Sequence, residues 1–292
     1  MSFNIAIASG KGGTGKTTVS VNLFHYLEKS TGNSIQLVDC DVEEPNDIIF
    51  FPTAKKTVEK EVTQLIPVID KDKCTYCRKC AEYCEFNAIV VIPPVNFAEV
   101  NAALCHSCGA CTVACKAGAI IEKPEPIGNV SFYKTEHGMD IAEGRLKIGS
   151  AMQTMLIREL QKNVPKEKDI TIFDSPPGTS CPVVETISNA DLVILVAEPT
   201  LFGLHDLKLM VKLVKELKLP YALVINKAGL GSKDIYDYVN EENIVLLGKI
   251  PFNEEYASKY ARGIINEDIP AEIIEAYNTI SMRITDHFLI KV

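Results

Sequence analysis

The chain alternates short apolar runs with amphipathic stretches over most of its length. Apolar runs, which predict buried strands, lie at 5–8, 35–38, 170–173, 192–197, 221–225 and 244–250. Apolar residues spaced three and four apart, which predict helices, lie at about 16–30, 151–162 and 204–217. Strands that alternate with helices favour an α/β fold, a doubly wound and mostly parallel sheet.

This pattern is interrupted between about residues 55 and 128, where eight of the ten cysteines lie. Short strands are expected again at 130–133 and 139–142. We therefore expect a domain in two parts, 1–60 and 128–292, with a small α+β domain inserted at 61–127.

The first apolar run leads into a glycine-rich segment. Gly10, Gly15, Lys16 and Thr17 fit the pattern G-x-x-x-x-G-K-[ST] between a strand and a helix. Glycines allow successive backbone N–H groups to point at phosphate oxygens, and the following helix adds its dipole. Lys16 would reach the β- and γ-phosphates, and Thr17 would bind Mg²⁺. The alternative is a glycine-rich turn with a chance lysine. The residues expected to contact ATP here are Gly10, Lys11, Gly12, Gly13, Thr14, Gly15, Lys16, Thr17 and Thr18.

A second lysine, Lys11, makes this segment resemble the deviant Walker A loop of the MinD/ParA/nitrogenase-iron-protein superfamily. In that family the extra lysine crosses a dimer interface to touch the partner's nucleotide. The resemblance therefore implies an ATP-dependent homodimer. The alternative is a solvated loop lysine.

The resemblance also assigns roles to carboxylates that follow two strands. Asp39-Cys40-Asp41 resembles the first switch of the family, which implies that Asp41 acts on the attacking water and Asp39 lies near Mg²⁺. Asp174 ends an apolar strand before Pro176-Pro177-Gly178-Thr179, a pattern similar to Walker B and the second switch. Asp174 would then hold Mg²⁺ through water, and the Gly178 N–H would approach the γ-phosphate. Turn-capping aspartates remain the alternative for Asp39 and Asp41.

Two further residues are assigned by position in the family. Asn226 ends a strand where relatives place an asparagine against adenine, and Pro251 follows the last strand near the base. The expected catalytic residues are Lys11, Lys16 and Asp41.

The cysteines of the interruption form two copies of one spacing. The copies are Cys74-x₂-Cys77-x₂-Cys80-x₃-Cys84 and Cys105-x₂-Cys108-x₂-Cys111-x₃-Cys115. This duplication resembles the bacterial two-cluster ferredoxin, in which the fourth cysteine of each copy binds the other cluster. The resemblance implies one [4Fe–4S] cluster on Cys74, Cys77, Cys80 and Cys115, and another on Cys105, Cys108, Cys111 and Cys84.

Zinc and disulfides are the alternatives to iron–sulfur clusters, although zinc does not require a duplicated spacing. Ferredoxins usually carry proline after each fourth cysteine, whereas Glu85 and Lys116 stand there. This departure leaves the ligands intact but affects local geometry and potential. We expect His106 to be a surface side chain, because a Rieske centre needs two histidines.

Composition narrows the function classes. The net charge of −8 argues against general nucleic-acid binding. The start of the chain, Met1–Asn4, lacks a basic and apolar leader, and no apolar stretch approaches ~20 residues, so a cytoplasmic location without a membrane span is expected. In the tail, 272–292, Arg283 and Lys291 are countered by three acidic residues, which favours a core-packing helix over a membrane anchor.

Together these features indicate an ATPase that gates electron transfer to an unknown protein partner or cofactor. An ATP-dependent scaffold or carrier for metal-cluster assembly is the alternative. Carriers of the Mrp type usually have a C-terminal Cys-x-x-Cys pair, and the last cysteine of this sequence is Cys181. A MinD-like positioning switch is disfavoured, because such a switch has no use for redox clusters.

Overall fold

The computed structural model describes residues 2–265 and 267–289. Two compact units are present: unit 1 comprises 1–59, 130–145 and 157–292, and unit 2 comprises 60–129 and 146–156. Residues 146–156, which the sequence analysis grouped with the nucleotide-binding part, belong to unit 2. Lys291, which entered the charge argument for the tail, lies outside the described residues.

The described residues form eleven strands. Their bounds are β1 (Phe3–Ala8), β2 (Ile35–Asp39), β3 (Lys55–Ile69), β4 (Ile89–Ile92), β5 (Phe97–Val100), β6 (Ile120–Lys134), β7 (Asp140–Leu146), β8 (Ile170–Asp174), β9 (Leu192–Ala197), β10 (Tyr221–Ala228) and β11 (Leu246–Pro251). The α-helices of the same residues are α1 (Lys16–Thr31), α2 (Lys79–Glu82), α3 (Ala110–Ala114), α4 (Gln153–Asn163), α5 (Cys181–Ile187), α6 (Leu201–Glu216), α7 (Asp234–Glu241), α8 (Glu254–Tyr260) and α9 (Ala271–Ile284).

Nine strands form one sheet in the order β11-β10-β9-β1-β8-β2-β7-β6-β3, and β4 pairs with β5 in a separate antiparallel hairpin. The pairs β1–β8, β1–β9, β2–β8, β2–β7, β9–β10 and β10–β11 are parallel. The predicted mostly parallel α/β sheet is confirmed.

The chain leaves β1 toward β2 in one direction along the sheet, and leaves β8 toward β9 in the opposite direction. Since such crossovers are right-handed, α1 and α5 must lie on opposite faces, which makes the sheet doubly wound. The order reverses beside β1 and β8, and ligands bind at the carboxyl ends of the strands at such a reversal. The glycine-rich segment after β1 and Asp174 at the end of β8 therefore meet at this point.

The central strands are buried on both faces because helices cover them. Residues 5–8 of β1 and 192–194 of β9 have no exposed surface, which explains why these strands read as continuous apolar runs. Helix α1 ends before Gly32, whose φ of 68° is readily adopted by glycine and whose N–H donates to the Glu28 carbonyl.

Helix α9 confirms the prediction of a core-packing final helix. It packs against β11 and α1 and buries Ile273, Ala276, Tyr277, Ile280 and Ile284. Within 2–265 and 267–289, none of the helices combines the length and apolarity that crossing a bilayer requires.

The packing of α9 on β11 leaves no room at Gly248. A Cβ built there would lie 2.5 Å from Cγ1 of Ile280, a side chain that is itself fully buried. We expect Gly248→Ala to lower the free energy of unfolding by about 1–3 kcal/mol, because overpacking forces a buried side chain off its rotamer.

The variant Ile280→Val provides the control, because it removes the Cδ1 methyl group, 3.2 Å from the built Cβ, and leaves the remaining γ-carbons room to shift. Alone, Ile280→Val should lower the free energy of unfolding by about 0.5–1.5 kcal/mol. In the Gly248→Ala background the same substitution should lower it less, or raise it. Urea unfolding of the wild type, the two single variants and the double variant measures the coupling energy between positions 248 and 280. Additive effects of the two substitutions would contradict this packing.

Candidate functional site

The glycine-rich loop after β1 holds a conformation that its glycines permit. Gly13 and Gly15 have φ values of 79° and 90°, in the left-handed region that residues with a Cβ rarely adopt. A Cβ on Gly15 would lie 2.2 Å from Nδ2 of Asn226, which donates to the Thr14 carbonyl at 2.8 Å. Asn226 therefore braces the loop from the end of β10.

Lys16 and Thr14 present unsatisfied polar groups inside this loop. Lys16 is only 7% exposed. Within the described residues its ammonium makes no direct hydrogen bond or ion pair, although the Asp41 and Asp174 carboxyls are near enough to attract it. The Thr14 hydroxyl is also buried without a partner. A buried cation needs a counter-charge, and the loop N–H groups and the start of α1 attract anions. These residues fit the phosphates of a bound nucleotide.

Three buried carboxylates lie behind the loop. Oxygen atoms of Asp39, Asp47 and Asp174 all lie within 4.8 Å of one another. Asp174 accepts hydrogen bonds from Thr17 at 2.8 Å and from Ser20 at 2.9 Å. Burial raises the pKa of all three carboxyls. The nearby Asp174 carboxylate further raises the pKa of Asp39 and Asp47, and that of Asp39 reaches about 8.

Such a group of oxygens beside a threonine hydroxyl fits a divalent cation, because Mg²⁺ prefers oxygen ligands and balances carboxylate charge. Asp47 supports this assignment, since both of its carboxylate oxygens are buried without a hydrogen-bond partner. Asp39 and Asp174 thus lie where the sequence placed them, and Asp47 joins them.

Asp39 shapes the loop that follows β2. Its Oδ1 accepts from the Asp41 N–H at 3.0 Å, and its Oδ2 accepts from the N–H groups of Asn46 and Asp47 at 2.7 and 3.0 Å. Asp41 is consequently held at the edge of the site. Burial raises the pKa of Asp41 to about 6 although the Lys16 ammonium opposes this rise.

A cavity of about 500 Å³ opens in front of the loop. This volume lies within the range of small-molecule sites. Its lining brings together Gly12, Gly13, Gly15, Lys16, Thr17, Thr18, Asp41, Glu44, Asn46, Pro177, Asn226, Lys227, Ile250, Pro251, Phe252, Asn253, Tyr256, Ala257 and Tyr260. Asn226 and Pro251, assigned to the base from sequence, both line this cavity, together with the aromatic rings of α8 and its approach.

Lys11 lies at the outer side of the loop, one-third exposed, in an ion pair of 2.7 Å with Glu198. Glu198 also pairs with Lys227 at 3.0 Å, and Lys227 donates to the Gly13 carbonyl. Two cations and one carboxylate thus connect the loop to the ends of β9 and β10.

The remaining predicted contacts have other partners in this structure. Gly10 lies so close to α6 that a Cβ would be 2.6 Å from the Asp206 carbonyl oxygen. The Gly178 N–H donates to the Ser9 carbonyl at 2.9 Å. This bond must open before the N–H can reach a phosphate. Cys40 is buried, and Cys181 is exposed at the start of α5.

In unit 2, the eight clustered cysteines line two separate cavities. The first cysteine cavity is lined by Cys74, Cys77, Cys80 and Cys115, and the second by Cys84, Cys105, Cys108 and Cys111. Each cavity thus receives three thiols from one copy of the spacing and the fourth from the other copy. Four thiols around one cavity are the donor set of a [4Fe–4S] cluster, so these residues fit the group.

The duplication is also visible in the backbone. Residues 76, 78 and 87 of the first copy have positive φ, and so do residues 107, 109 and 118 at the equivalent positions of the second. The Ala88 N–H donates to Cys84 Sγ at 3.3 Å, and the Ala119 N–H donates to Cys115 Sγ at the same distance. His106 is exposed and stacks on Phe86.

The sequence analysis missed Asp47, Ser20 and Glu198. Asp47 lies six residues after Asp41 in a loop whose path is set by hydrogen bonds to Asp39, which sequence does not reveal. Glu198 follows a buried strand directly, and this is the same signal that identified Asp39 and Asp174.

We expect Asp47→Asn to stabilise the metal-free protein. The folded-state pKa of Asp47 is raised, so the carboxyl penalises folding increasingly as the pH rises above about 4. The stabilisation should therefore be present at pH 8 and nearly absent at pH 4, where the carboxyl is protonated in the folded state and only partly ionised in the unfolded state.

Urea unfolding in EDTA at both pH values tests this expectation. Asp237→Asn, an exposed residue in the first turn of α7, is the matched control and should not stabilise the protein. With Mg²⁺ and nucleotide added, the advantage of Asp47→Asn should shrink. A gain that is equal at pH 4 and pH 8 would contradict the charge explanation.

Comparison with known proteins agrees with this geometry. The family model of the CobQ/CobB/MinD/ParA nucleotide binding domain matches residues 5–266. An uncharacterized protein of Methanocaldococcus jannaschii is 32% identical over 262 residues, covering 89% of each chain. An iron-sulfur cluster carrier protein of Pyrococcus horikoshii is 26% identical and is aligned over 92% of this chain and 81% of its own.

Among solved structures, the septum site-determining protein MinD of Pyrococcus horikoshii, complexed with Mg-ADP, superposes with a TM-score of 0.62. The two are 17% identical, and the match covers 100% of this chain and 99% of that one. This similarity shows the fold, and the family model covers both the phosphate loop and the carboxylates behind it. The chain belongs to the CobQ/CobB/MinD/ParA family of nucleotide-binding domains.

Proposed function

We propose that this protein binds and hydrolyses ATP, and that nucleotide-dependent dimerisation gates electron transfer from two [4Fe–4S] clusters to a protein partner. One observation carries the proposal: two four-thiol cavities occur in a unit inserted into a nucleotide-binding fold. Each bound cluster would accept and release one electron. The donor would be a low-potential one-electron reductant, and the acceptor a redox centre in the partner.

The nucleotide site supplies the groups that hydrolysis requires. Lys16 would neutralise the β- and γ-phosphates, and Thr17 with Asp39, Asp47 and Asp174 would hold Mg²⁺ directly or through water. Asp41 would orient the attacking water. Its pKa of about 6 supports this role, because the carboxyl is then mostly ionised at neutral pH yet basic enough to accept a hydrogen bond from water.

Lys11 supplies the proposed link between nucleotide and dimer. Its Nζ is bound to Glu198 of the same chain, and one-third of its side chain is exposed. To contact a nucleotide in a second copy it must exchange this carboxylate for phosphate oxygens. A partner's triphosphate carries more negative charge than one shared carboxylate, which favours the exchange when ATP is bound.

The cysteine cavities support the crossed cluster assignment. If each cavity holds one cluster, Cys115 completes the first cysteine cavity and Cys84 completes the second. The matching N–H···Sγ bonds to Cys84 and Cys115 support a ligand role for both fourth cysteines, because such donors stabilise a thiolate ligand.

A second candidate function is an ATP-dependent carrier that passes a metal cluster to other proteins. It is favoured by the similarity to iron-sulfur cluster carrier proteins of Pyrococcus horikoshii and Pyrococcus furiosus, each 26% identical. The two candidates differ in what leaves the protein: an electron in the first, iron in the second.

We expect MgATP to change the rate at which the dithionite-reduced protein is reoxidised by cytochrome c under anaerobic conditions. An effect of about fivefold or more is typical of coupled sites. Lys16→Ala should abolish ATP hydrolysis and this effect. Lys11→Ala should retain nucleotide binding but lose both the effect and the dimer formed with a non-hydrolysable analogue.

Iron content before and after the assay is the control. An ATP effect accompanied by constant iron supports gated electron transfer. Loss of iron to an added apo-acceptor protein would instead establish the carrier function, and equal rates with and without ATP would refute gating.

The crossed assignment predicts that Cys84→Ser perturbs the cluster whose other ligands are Cys105, Cys108 and Cys111. Cys115→Ser should perturb the other one, because each serine removes a ligand from the opposite copy. EPR spectra of the reduced variants, compared with Cys108→Ser and Cys77→Ser, report which cluster changes. If Cys84→Ser reproduced the spectrum of Cys77→Ser, the ligands would not be crossed.

A further inference from the structure

The two copies of the cysteine spacing allow the surroundings of the cavities to be compared position by position. Equivalent cysteines are 31 residues apart throughout, as in Cys74 and Cys105. Backbone conformation and the N–H···Sγ bonds of the fourth cysteines match between the copies. Any systematic difference between the cavities must therefore come from side chains.

Charged side chains differ at the equivalent positions. The lining of the first cysteine cavity includes Arg78 and Lys79, whereas Gly109 and Ala110 line the second. Conversely Glu122 lines the second cavity, and its equivalent in the first is Val91. The first cavity is thus bordered by cations, and the second by an anion.

The residues after the fourth cysteines reinforce this difference because the ligands are crossed. Lys116 follows Cys115, which belongs to the first cavity, and Glu85 follows Cys84, which belongs to the second. Lys79 is partly balanced by Glu82 at 3.0 Å. Arg78 still leaves the lining of the first cavity positive, and Glu122 leaves that of the second negative. Lys116 and Glu85 line neither cavity, but each adds a charge of the same sign one residue from a ligand.

Solvent access differs in the same sense, because Cys105 and Cys111 of the second cavity are buried whereas the equivalent Cys74 and Cys80 of the first are only partly buried. Tyr76 covers the first cavity where the second has Ser107, and two other rings cover the second. Phe86 and His106 line the second cavity and stack with ring centroids 3.8 Å apart, inclined by 17°. The equivalent residues that line the first cavity are the smaller Ala117 and Thr75. The ring pair excludes water from one side of the second cavity, and a less polar environment disfavours added charge.

A [4Fe–4S] cluster with four thiolates is an anion that gains one further negative charge on reduction. Nearby cations and water stabilise the reduced form, whereas nearby carboxylates and apolar cover destabilise it. We propose that the two cavities are electronically inequivalent. The site of Cys74, Cys77, Cys80 and Cys115 has the higher reduction potential, and the first electron resides there.

This inference rests on the proposed function, since it requires a cluster in each cavity. The expected preference of the first electron for the first cysteine cavity is at least tenfold, which corresponds to about 59 mV for a one-electron couple. At equilibrium, a single electron added to the protein therefore resides at the first cavity in at least about ten of every eleven molecules.

An EPR-monitored dithionite titration of the full-length, anaerobically purified protein tests the proposal. Cys77→Ser and Cys108→Ser assign the two signals to the two cavities. In the wild type the signal assigned to the first cavity should appear first. Glu122→Gln keeps the acceptor for the Thr112 hydroxyl, found at 3.1 Å, but removes the charge. It should narrow the preference by about threefold or more.

Substitution by the equivalent residue provides two further variants. Arg78→Gly should narrow the preference by lowering the potential at the first cavity. It fits the backbone, because Arg78 has a φ of 66°. Phe86→Ala should also narrow the preference of the first electron for the first cavity, because it admits water to the second cavity and so raises the reduction potential there. Arg78→Lys, which keeps the charge, and Glu99→Gln, an exposed residue of β5 that lines neither cavity, are matched controls and should leave the preference unchanged.

The outcomes separate this inference from the function beneath it. Fewer than two clusters, by iron content and EPR integration, would overturn both. Two clusters of equal potential, or a reversed order, would overturn the inference alone. The inference would also be overturned if neither Glu122→Gln nor Phe86→Ala changed the distribution of the first electron between the two cavities.

Discussion

Three carboxyl groups buried together at one edge of the sheet are the constraint on which the rest of unit 1 depends. Asp39, Asp47 and Asp174 are buried within 4.8 Å of one another, and Lys16 is the buried cation nearby. Burying so many charges is costly unless other charges and donors compensate them. The hydroxyls of Thr17 and Ser20 and three backbone N–H groups supply part of this compensation.

The fold explains how these groups come together. β1, β8 and β2 are adjacent parallel strands, so their carboxyl ends meet although Asp39 and Asp174 lie far apart in sequence. The reversal of strand order beside β1 opens the crevice in which the loop fits. A site of this kind is stabilised by its ligand, because phosphate and Mg²⁺ supply the missing counter-charges.

Unit 2 is organised differently, around thiols rather than an extensive apolar core. Its buried residues Ile89, Val91, Ala98 and Ile120 form a small cluster against which several of the cysteines pack. A core of this size contributes little stability. If the proposed clusters bind, their formation and the folding of this unit are coupled, as in other small metal-binding domains.

The sequence predicted those strands and helices whose hydrophobic pattern matches their burial in the folded protein. β9 was predicted to the residue, and β1 and α1 nearly so, because buried strands and an amphipathic helix have clear periodicity. β3 was missed because its residues 55–61 are exposed and carry no alternation. β6 was shortened to its last apolar residues because Pro124 and Pro126 argue against a strand. The role of Asp47 depends on the path of the loop after β2, which is set by hydrogen bonds to Asp39 and which no local pattern encodes. Glu198 carried a local signal, its position directly after a buried strand, but its ion pairs with Lys11 and Lys227 could not be read from that signal.

The position of β3 at the end of the sheet has a consequence for the protein in a crowded cell. An outermost strand offers unpaired backbone groups to which a strand of another molecule can add, and this addition is a route to aggregation. The exposed part of β3 carries Lys55, Lys56, Glu59 and Glu61. An added strand would have to desolvate these charges. The lysines and glutamates that prevented the prediction of β3 from sequence therefore also limit the addition of strands from other molecules to this edge of the sheet.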